Sequence, residues 1–138
     1  MEIASIQKIG QHLPVTILQL VGKLDGSNYM QLVNEAKRNY NNGVRDLLID
    51  MSRLSYLSSL GITAIHETAL LFRGVPIPEK DSGWTGYNAI EHNRDQGLQK
   101  HVKLLSPQPE VAHILEIIGF KTLFEIFTDL DTALASFQ

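Results

Sequence analysis

The stretch that decides how this chain folds is Leu47-Leu48-Ile49-Asp50-Met51-Ser52-Arg53-Leu54-Ser55-Tyr56-Leu57-Ser58-Ser59-Leu60-Gly61-Ile62. Its continuous apolar run, closed by Asp50, is typical of a buried parallel strand that a short loop then connects to two serines. Beyond the serines, apolar residues recur at helical spacing, at Ile62, Ile65, Ala69 and Phe72. Ser58 and Ser59 therefore stand where a helix begins. The start of a helix carries partial positive charge and unpaired N–H groups, so an attached phosphate is favoured there.

This stretch resembles the signature of STAS domains, which are shared by sulfate transporters and anti-sigma factor antagonists. In that family a strand ending in an aspartate leads into an Asp-Ser-Ser/Thr/Ala-Gly turn that opens a helix. By this resemblance Ser59 takes the position of the serine that is phosphorylated in the family's bacterial regulators, and Gly61 matches the turn glycine. The chain departs from the pattern at two positions, because Ser58 replaces the usual aspartate and Leu60 replaces the usual small residue.

Two further segments extend the resemblance over most of the chain outside residues 74 to 100. Residues 21–25, Val-Gly-Lys-Leu-Asp, resemble the family's Gly-x-Leu-Asp strand end, and residues 119–127 resemble its last passage from helix to strand. The resemblance implies a STAS-like α/β fold, with a mixed, largely parallel sheet covered by helices. It also implies a regulatory protein-binding module without enzymatic activity, similar to bacterial anti-sigma factor antagonists and controlled by reversible phosphorylation of Ser59.

The resemblance further implies that the partner is an anti-sigma factor or a related serine kinase. Sites in such sheets lie at the carboxyl ends of strands. The loop after the second strand and the start of the signature helix both follow such ends. We therefore expect one mostly polar patch for the partner, made of Asp25, Ser27, Asn28, Ser58, Ser59 and Thr63. The oligomeric state stays open, with a homodimer among the options.

Composition limits the classes of protein to which the chain can belong. Its 138 residues, 43% of them hydrophobic, suit a single domain with one core. The absence of cysteine excludes disulfides and thiolate chemistry, and the net charge of −3 argues against a nucleic-acid-binding protein. The sequence has no apolar run of transmembrane length and no signal-peptide pattern near its start. We therefore expect no membrane insertion and a cytoplasmic location.

The remaining pattern predicts strands and helices in alternation, as in a mixed α/β sheet. The first half is predicted to contain an antiparallel pair of strands at 3–9 and 15–24, a helix that begins near Tyr29 and is stopped by Asn42-Gly43, a strand at 44–50 and the signature helix at about 59–73. The last third is predicted to contain a strand, a helix, a short strand and a terminal helix. The strand covers 102–105, and Ser106-Pro107 is expected to cap the helix that follows, which Gly119 ends. The short strand is predicted at 124–126, and Thr128 is predicted to cap the terminal helix.

Residues 74–100 interrupt this order. They contain Pro76, Pro78 and four glycines without a sustained apolar period. The chain is therefore predicted to be one STAS-like domain, 1–138, with an inserted loop at about 74–100. Loops of this length tend to be functional or disordered. Trp84 and Tyr87 in the loop are candidates for partner binding, since aromatic residues are enriched at interface hot spots. Equally, they could fold back on the domain.

Three interpretations of the serine pair remain open. The first is the phosphorylation switch, in which Ser58 caps the helix and Ser59 accepts phosphate. The second is a scaffold or sensor that is not phosphorylated and binds another protein or a small ligand through the inserted loop. The third is a small serine hydrolase, but His66 lies seven residues beyond Ser59, about 10 Å along a helix axis, too far to activate the serine. The sequence predicts no catalytic residue, metal site or cofactor, since its five histidines are scattered and it has no glycine-rich phosphate-binding loop.

Overall fold

The structure is a computed structural model and describes residues 2–9, 14–74 and 98–137. In these residues five strands form one sheet in the order β1-β2-β3-β4-β5. The strands are β1 (Glu2–Ile9), β2 (Pro14–Leu24), β3 (Leu47–Leu57), β4 (Val102–Leu105) and β5 (Ile126–Phe127). The helices are α1 (Tyr29–Asn41), α2 (Ser59–Phe72), α3 (Pro109–Ile117) and α4 (Leu130–Ala135), with a 3₁₀ turn at Phe120–Thr122.

The sheet is mixed and largely parallel, as the sequence predicts. β1 pairs antiparallel with β2, whereas β2, β3, β4 and β5 pair parallel in succession. Successive residues of a strand point to opposite faces of the sheet, and β3 shows this directly. Leu47 and Ile49 belong to the larger core, which also includes residues of α1, α2 and α3, whereas Leu48 belongs to a smaller cluster with Ala133 and Phe137 at the C-terminal helix. Helices therefore cover both faces.

A buried lysine fastens the C-terminal segment to the sheet. Lys103 in β4 is only 4% exposed. Its Nζ lies 3.1 Å from Glu125 Oε1 and donates hydrogen bonds to the backbone oxygen of Ser136 at 2.9 Å and to Ser136 Oγ at 3.0 Å. The same Nζ lies 4.7 Å from the centroid of the Phe137 ring. This buried charge is thus both paired and hydrogen-bonded, as burial of a charge requires.

β3 is longer than predicted. The sequence predicts a strand at 44–50 followed by a loop, but β3 begins at Leu47 and continues to Leu57. The extension pairs with the second half of β2 across two shifts of register, and its Leu54 and Leu57 lie in the core. Pairing with a neighbouring strand, which local sequence does not reveal, therefore turns the expected loop into strand.

Two predicted helix caps were wrong, and the last predicted strand lies later in the chain than expected. α3 has Gln108 as its N-cap, because Ser106 adopts a left-handed conformation (φ 51°) and its N–H donates to the backbone oxygen of Phe127. α4 is capped by Asp129, not Thr128, since Asp129 Oδ2 accepts a hydrogen bond from the Thr132 N–H at 2.9 Å. β5 begins only at Ile126, because Phe124 is buried in the core, with 1% of its surface exposed.

Candidate functional site at the start of α2

The start of α2 is attached to the end of β2. The Ser58 N–H donates a hydrogen bond of 3.0 Å to the backbone oxygen of Leu24. Gly61 in the first turn approaches the same strand so closely that a Cβ on it would lie 2.7 Å from the Leu24 oxygen. A glycine is therefore required at 61 for the helix to begin against the strand, which gives the motif's glycine a physical reason.

The loop between β2 and α1 lies next to this helix start. A Cβ on Gly26 would lie 3.1 Å from Leu60 Cδ1. The loop that contains Asp25, Ser27 and Asn28 and the first turn of α2 thus meet where β2 and β3 end. This is the end of the sheet at which sites are expected in parallel α/β structures.

The two serines differ in what their hydroxyls do. Ser58 Oγ accepts a hydrogen bond of 3.2 Å from the Gly61 N–H and caps α2, as predicted. Ser59 is exposed, and in the described part of the chain its Oγ has no hydrogen-bond partner. Only the Ser59 backbone oxygen is engaged, accepting from Thr63 Oγ1 at 3.1 Å. The first turn of α2 contains no acidic residue, so no carboxylate of that turn offsets the partial positive charge of the helix start. The Ser59 hydroxyl is exposed to solvent at this place.

The loop after β2 is organised by its own side chains. Asp25 Oδ1 accepts hydrogen bonds from Ser27 Oγ at 2.6 Å and from the Ser27 N–H at 2.9 Å. Asn28 Oδ1 accepts from the Asp25 N–H at 2.9 Å, and Asn28 Nδ2 donates to the Lys23 oxygen at 2.7 Å. The bonds from Ser27 hold the pKa of the Asp25 carboxyl below its ordinary value. Asp25 therefore presents a carboxylate at the site at neutral pH.

The other residues of the expected patch are placed differently. Thr63 is only 8% exposed, because its hydroxyl bonds back to the helix and its side chain packs inward. It therefore offers little surface to a partner. Trp84 and Tyr87 lie outside the described residues.

Two exposed apolar side chains near Ser59 were not predicted as part of the patch. Tyr56 near the end of β3 is 48% exposed and Leu60 in the first turn of α2 is 37% exposed. The replacement of a small residue by Leu60 could have pointed to it. Tyr56 gave no such signal, because its segment was predicted to be loop.

His66 is fully buried in α2, and neither ring nitrogen has a hydrogen-bond partner among the described residues. Burial, with a smaller contribution from the charge of Arg73, lowers the pKa of His66 to about 4. Since His66 makes no hydrogen bond to Ser59, it gives no support to a serine hydrolase. Within residues 2–9, 14–74 and 98–137, no cluster of histidine and carboxylate side chains could hold a metal ion, and no helix is long and apolar enough to cross a membrane.

Comparison with known proteins agrees with this geometry. The family model of the STAS domain matches residues 5–75, slightly more than half of the chain, including β3 and all of α2. The sequence is also 25% identical over 119 residues to BtrV of Bordetella bronchiseptica, named as a candidate anti-sigma factor antagonist. The match covers 86% of this chain and 83% of BtrV.

Solved structures show the same fold at low sequence identity. An anti-sigma factor antagonist from Mycobacterium paratuberculosis superposes with a TM-score of 0.66 at 16% identity, covering 98% of this chain and 93% of that chain. The Bacillus cell fate determinant SpoIIAA in its phosphorylated form superposes with a TM-score of 0.53 at 14% identity, covering 98% of this chain and 100% of SpoIIAA. At these identities the likeness concerns the fold alone.

Proposed function

This chain belongs to the STAS domain family, and we propose that it is a phosphorylation-controlled partner switch of the anti-sigma factor antagonist type. In its unmodified form it binds an anti-sigma factor or a related serine kinase in the cytoplasm. Phosphorylation of Ser59 ends this binding. The chain itself catalyses no reaction, since its role is to occupy the partner.

The observation that carries the proposal is that the hydroxyls of the two serines have different roles. Ser58 uses its hydroxyl to cap α2, whereas the hydroxyl of the exposed Ser59 has no hydrogen-bond partner among the described residues at the same helix start. A kinase can reach Ser59 without breaking the cap. The substitution of Ser58 for the family's usual aspartate preserves the capping role, because serine and aspartate are about equally good caps.

The switch follows from local electrostatics. A phosphate adds about −1.5 to −2 charges. At a helix start this charge is stabilising by about 0.3–1 kcal/mol at an exposed site, so the free domain tolerates it. In a complex with the partner, the phosphate on Ser59 would have to lose its hydration. Together with the Asp25 carboxylate, it would also make the binding surface of this chain strongly acidic. The modification therefore weakens the complex more than it affects the fold.

The surface for the partner consists of the loop after β2 and the first turn of α2. Its polar members are Asp25, Ser27, Asn28, Ser58 and Ser59, with Thr63 beneath them. The contact between Gly26 and Leu60 joins the two segments into one surface. The phosphorylated form of SpoIIAA, which shares the fold, supports the idea that this scaffold accommodates a phosphate.

The test is phosphorylation by the serine-kinase anti-sigma factors encoded in the same genome, each purified and incubated with the chain and ATP. We expect one of them to modify Ser59, located by mass spectrometry of the digested product. Ser59→Ala should abolish the modification and leave stability nearly unchanged. The matched control is Ser58→Ala, which should still be phosphorylated but lose about 1 kcal/mol of stability because the cap is removed. Modification of Ser58 in place of Ser59, or of neither serine by any of these kinases, would contradict the proposal.

A second candidate function is a STAS scaffold or sensor that is not phosphorylated. It is favoured by the two departures from the family's motif, Ser58 and Leu60, since both lie in the switch itself. Such a protein would bind another protein or a small ligand through the inserted loop, with Trp84 and Tyr87 as contacts. Calorimetry against an identified partner separates the two functions. If the chain is the phosphorylation switch, Ser27→Arg should abolish binding. If it is the scaffold, Trp84→Ala and Tyr87→Ala should abolish binding.

A further inference from the structure

β1 is an edge strand whose outer side no other described strand covers. It runs for eight residues, Glu2–Ile9, and pairs with β2 from Glu2↔Val21 to Ile9↔Pro14 without a shift of register. Exposed edges are usually protected by a proline, a bulge or shortness, because their open N–H and C=O groups pair readily with another strand. β1 has none of these three protections, and of the charged residues that also protect edges it carries one of each sign, at positions 2 and 8.

The described helices cover β1 only in part, with Ile3 packed against the larger core. Glu2, Ala4 and Ser5 are exposed, and Ile6 keeps 37% of its surface exposed. On the helix side, a groove of about 440 Å³ separates β1 from α1, lined by Ile3, Gln31, Asn34, Glu35 and Arg38. This groove leaves open space beside β1, and a strand added there would further shield Ile3 and Ile6 from water.

We propose that this edge binds β1 of a second copy of the chain, so that two molecules form a dimer in which the described strands of both copies join in one continuous sheet. The sequence of β1 is complementary to itself. In an antiparallel pairing centred on Ser5, position 2 lies opposite position 8 and position 4 opposite position 6. The pairing therefore places Glu2 opposite a position that carries lysine in the sequence, and Ala4 opposite Ile6. Opposite charges and apolar pairs across strands are favourable, and no like charges meet.

A pairing centred on Ser5 has twofold symmetry, the commonest symmetry of homodimers. The twofold axis runs through the sheet at Ser5, so the two domains point in opposite directions along the strands. Ser59 follows the carboxyl end of β3, and the two copies of Ser59 therefore lie at opposite ends of the combined sheet. Dimerisation leaves both sites open, and the inference does not depend on whether Ser59 is phosphorylated.

The oligomeric state in solution tests the inference. Sedimentation should give the parent chain twice the monomer mass of 15.4 kDa. Ser5→Lys and Ser5→Glu should each sediment as monomers, because two like charges would meet on the axis. An equimolar mixture of the two variants should regain the dimer, since the charges are then opposite. Glu110→Lys, an exposed change on α3, is the control and should stay dimeric. A monomeric parent, or Ser5 variants that remain dimers, would overturn the inference.

A cross-link tests the geometry independently of charge. The chain contains no cysteine, so a single introduced thiol has only its counterpart in another copy as a partner. Directly opposite residues of antiparallel strands have Cβ atoms about 4.5–5.5 Å apart, close to the about 3.5–4.5 Å of a disulfide. Ser5→Cys should form a disulfide-linked dimer under mild oxidation, whereas Glu110→Cys should remain monomeric on non-reducing gels. Equal cross-linking of both variants would contradict the pairing.

Discussion

The fold strongly changes the chemistry of His66. A histidine in water has a pKa of about 6.5, but the buried ring of His66 has no hydrogen-bond partner among the described residues and its pKa is lowered to about 4. Burial disfavours the charged ring, and the positive charge of Arg73 adds to this effect. The ring is therefore neutral at pH 7. Its two unpaired nitrogens weaken the core, since a buried polar group without a partner is unfavourable.

This burial predicts a specific dependence of stability on pH. The unfolded chain binds a proton at His66 below about pH 6.5, whereas the folded chain does so only near pH 4. Protonation of His66 therefore leaves the free energy of unfolding unchanged above pH 6.5. As the pH falls from 6.5 towards 4, it lowers the free energy of unfolding by at most about 1.4 kcal/mol per pH unit. His66→Leu, of similar volume, should remove this loss. The free energy of unfolding of the variant, measured in urea, should then exceed that of the parent by more at pH 5 than at pH 7.

The control for His66 is His113, which is exposed on α3. His113→Gln should unfold like the parent chain at both pH values. If His66→Leu and the parent lost stability in parallel between pH 7 and pH 5, His66 would not be the group responsible, and the carboxylates would have to account for the acid sensitivity.

At the scale of elements, the contact between α2 and β2 decides the geometry of the site. Gly61→Ala should destabilise the domain by about 1–3 kcal/mol, because the new Cβ meets the backbone oxygen of Leu24, which cannot move without disturbing the sheet. Helix propensity alone would favour alanine by about 1 kcal/mol. The sign of the change in the free energy of unfolding, measured by urea denaturation, therefore shows whether the steric contact or the helix propensity dominates.

Gly26→Ala is the matched change on the other side of the same contact. Its Cβ would meet only the end of the Leu60 side chain, at 3.1 Å, and that side chain can rotate away. We expect a smaller loss of stability than for Gly61→Ala. A Gly61→Ala variant as stable as the parent would show that α2 can shift away from β2, and the surface joined by Gly26 and Leu60 would then be adjustable.

The sequence predicted elements whose signals are local and missed those that depend on distant pairing. The start of α2 was predicted correctly, because Ser58 and the helical spacing after it are neighbours in the chain. The continuation of β3 to Leu57 was missed, because only pairing with β2 makes residues 51–57 a strand. The cap Gln108 was missed for the same reason, since the attachment of Ser106 to β5 delays the start of α3. Asp129 is different, because it caps α4 through a local hydrogen bond from Thr132, and the prediction chose the neighbouring Thr128.

The candidate site was predictable to a similar extent. The contrast between Ser58 and Ser59 follows from capping, which is a local rule, and the capping role of Ser58 is confirmed. The burial of Thr63 and the exposure of Tyr56 depend on how α2 and β3 pack, which the sequence does not show. The assignment of Ser59 as the phosphorylated residue stays a prediction.

At the scale of the whole molecule, the folded domain resumes earlier than the predicted end of the insertion at residue 100. Gln99 is only 2% exposed, and its N–H donates a hydrogen bond of 2.7 Å to the backbone oxygen of Leu123. This bond ties the segment before β4 to the turn after α3. Gly74, at the other end, follows the last turn of α2. A deletion that tests the insertion should therefore remove residues 75–97 and keep Gln99.

Replacing residues 75–97 with a short glycine–serine bridge should lower the thermal midpoint by only a few degrees. The five strands and four helices outside this segment already form the sheet and both apolar clusters, and the entropy of closing a loop changes slowly with its length. Circular dichroism on heating gives the midpoint. A bridge that also replaces residues 98–100 should lower it further, because the bond from Gln99 to Leu123 is then lost. Loss of cooperative unfolding in the shorter replacement would show that the insertion stabilises the domain, with Trp84 as part of the core and not as a contact for a partner.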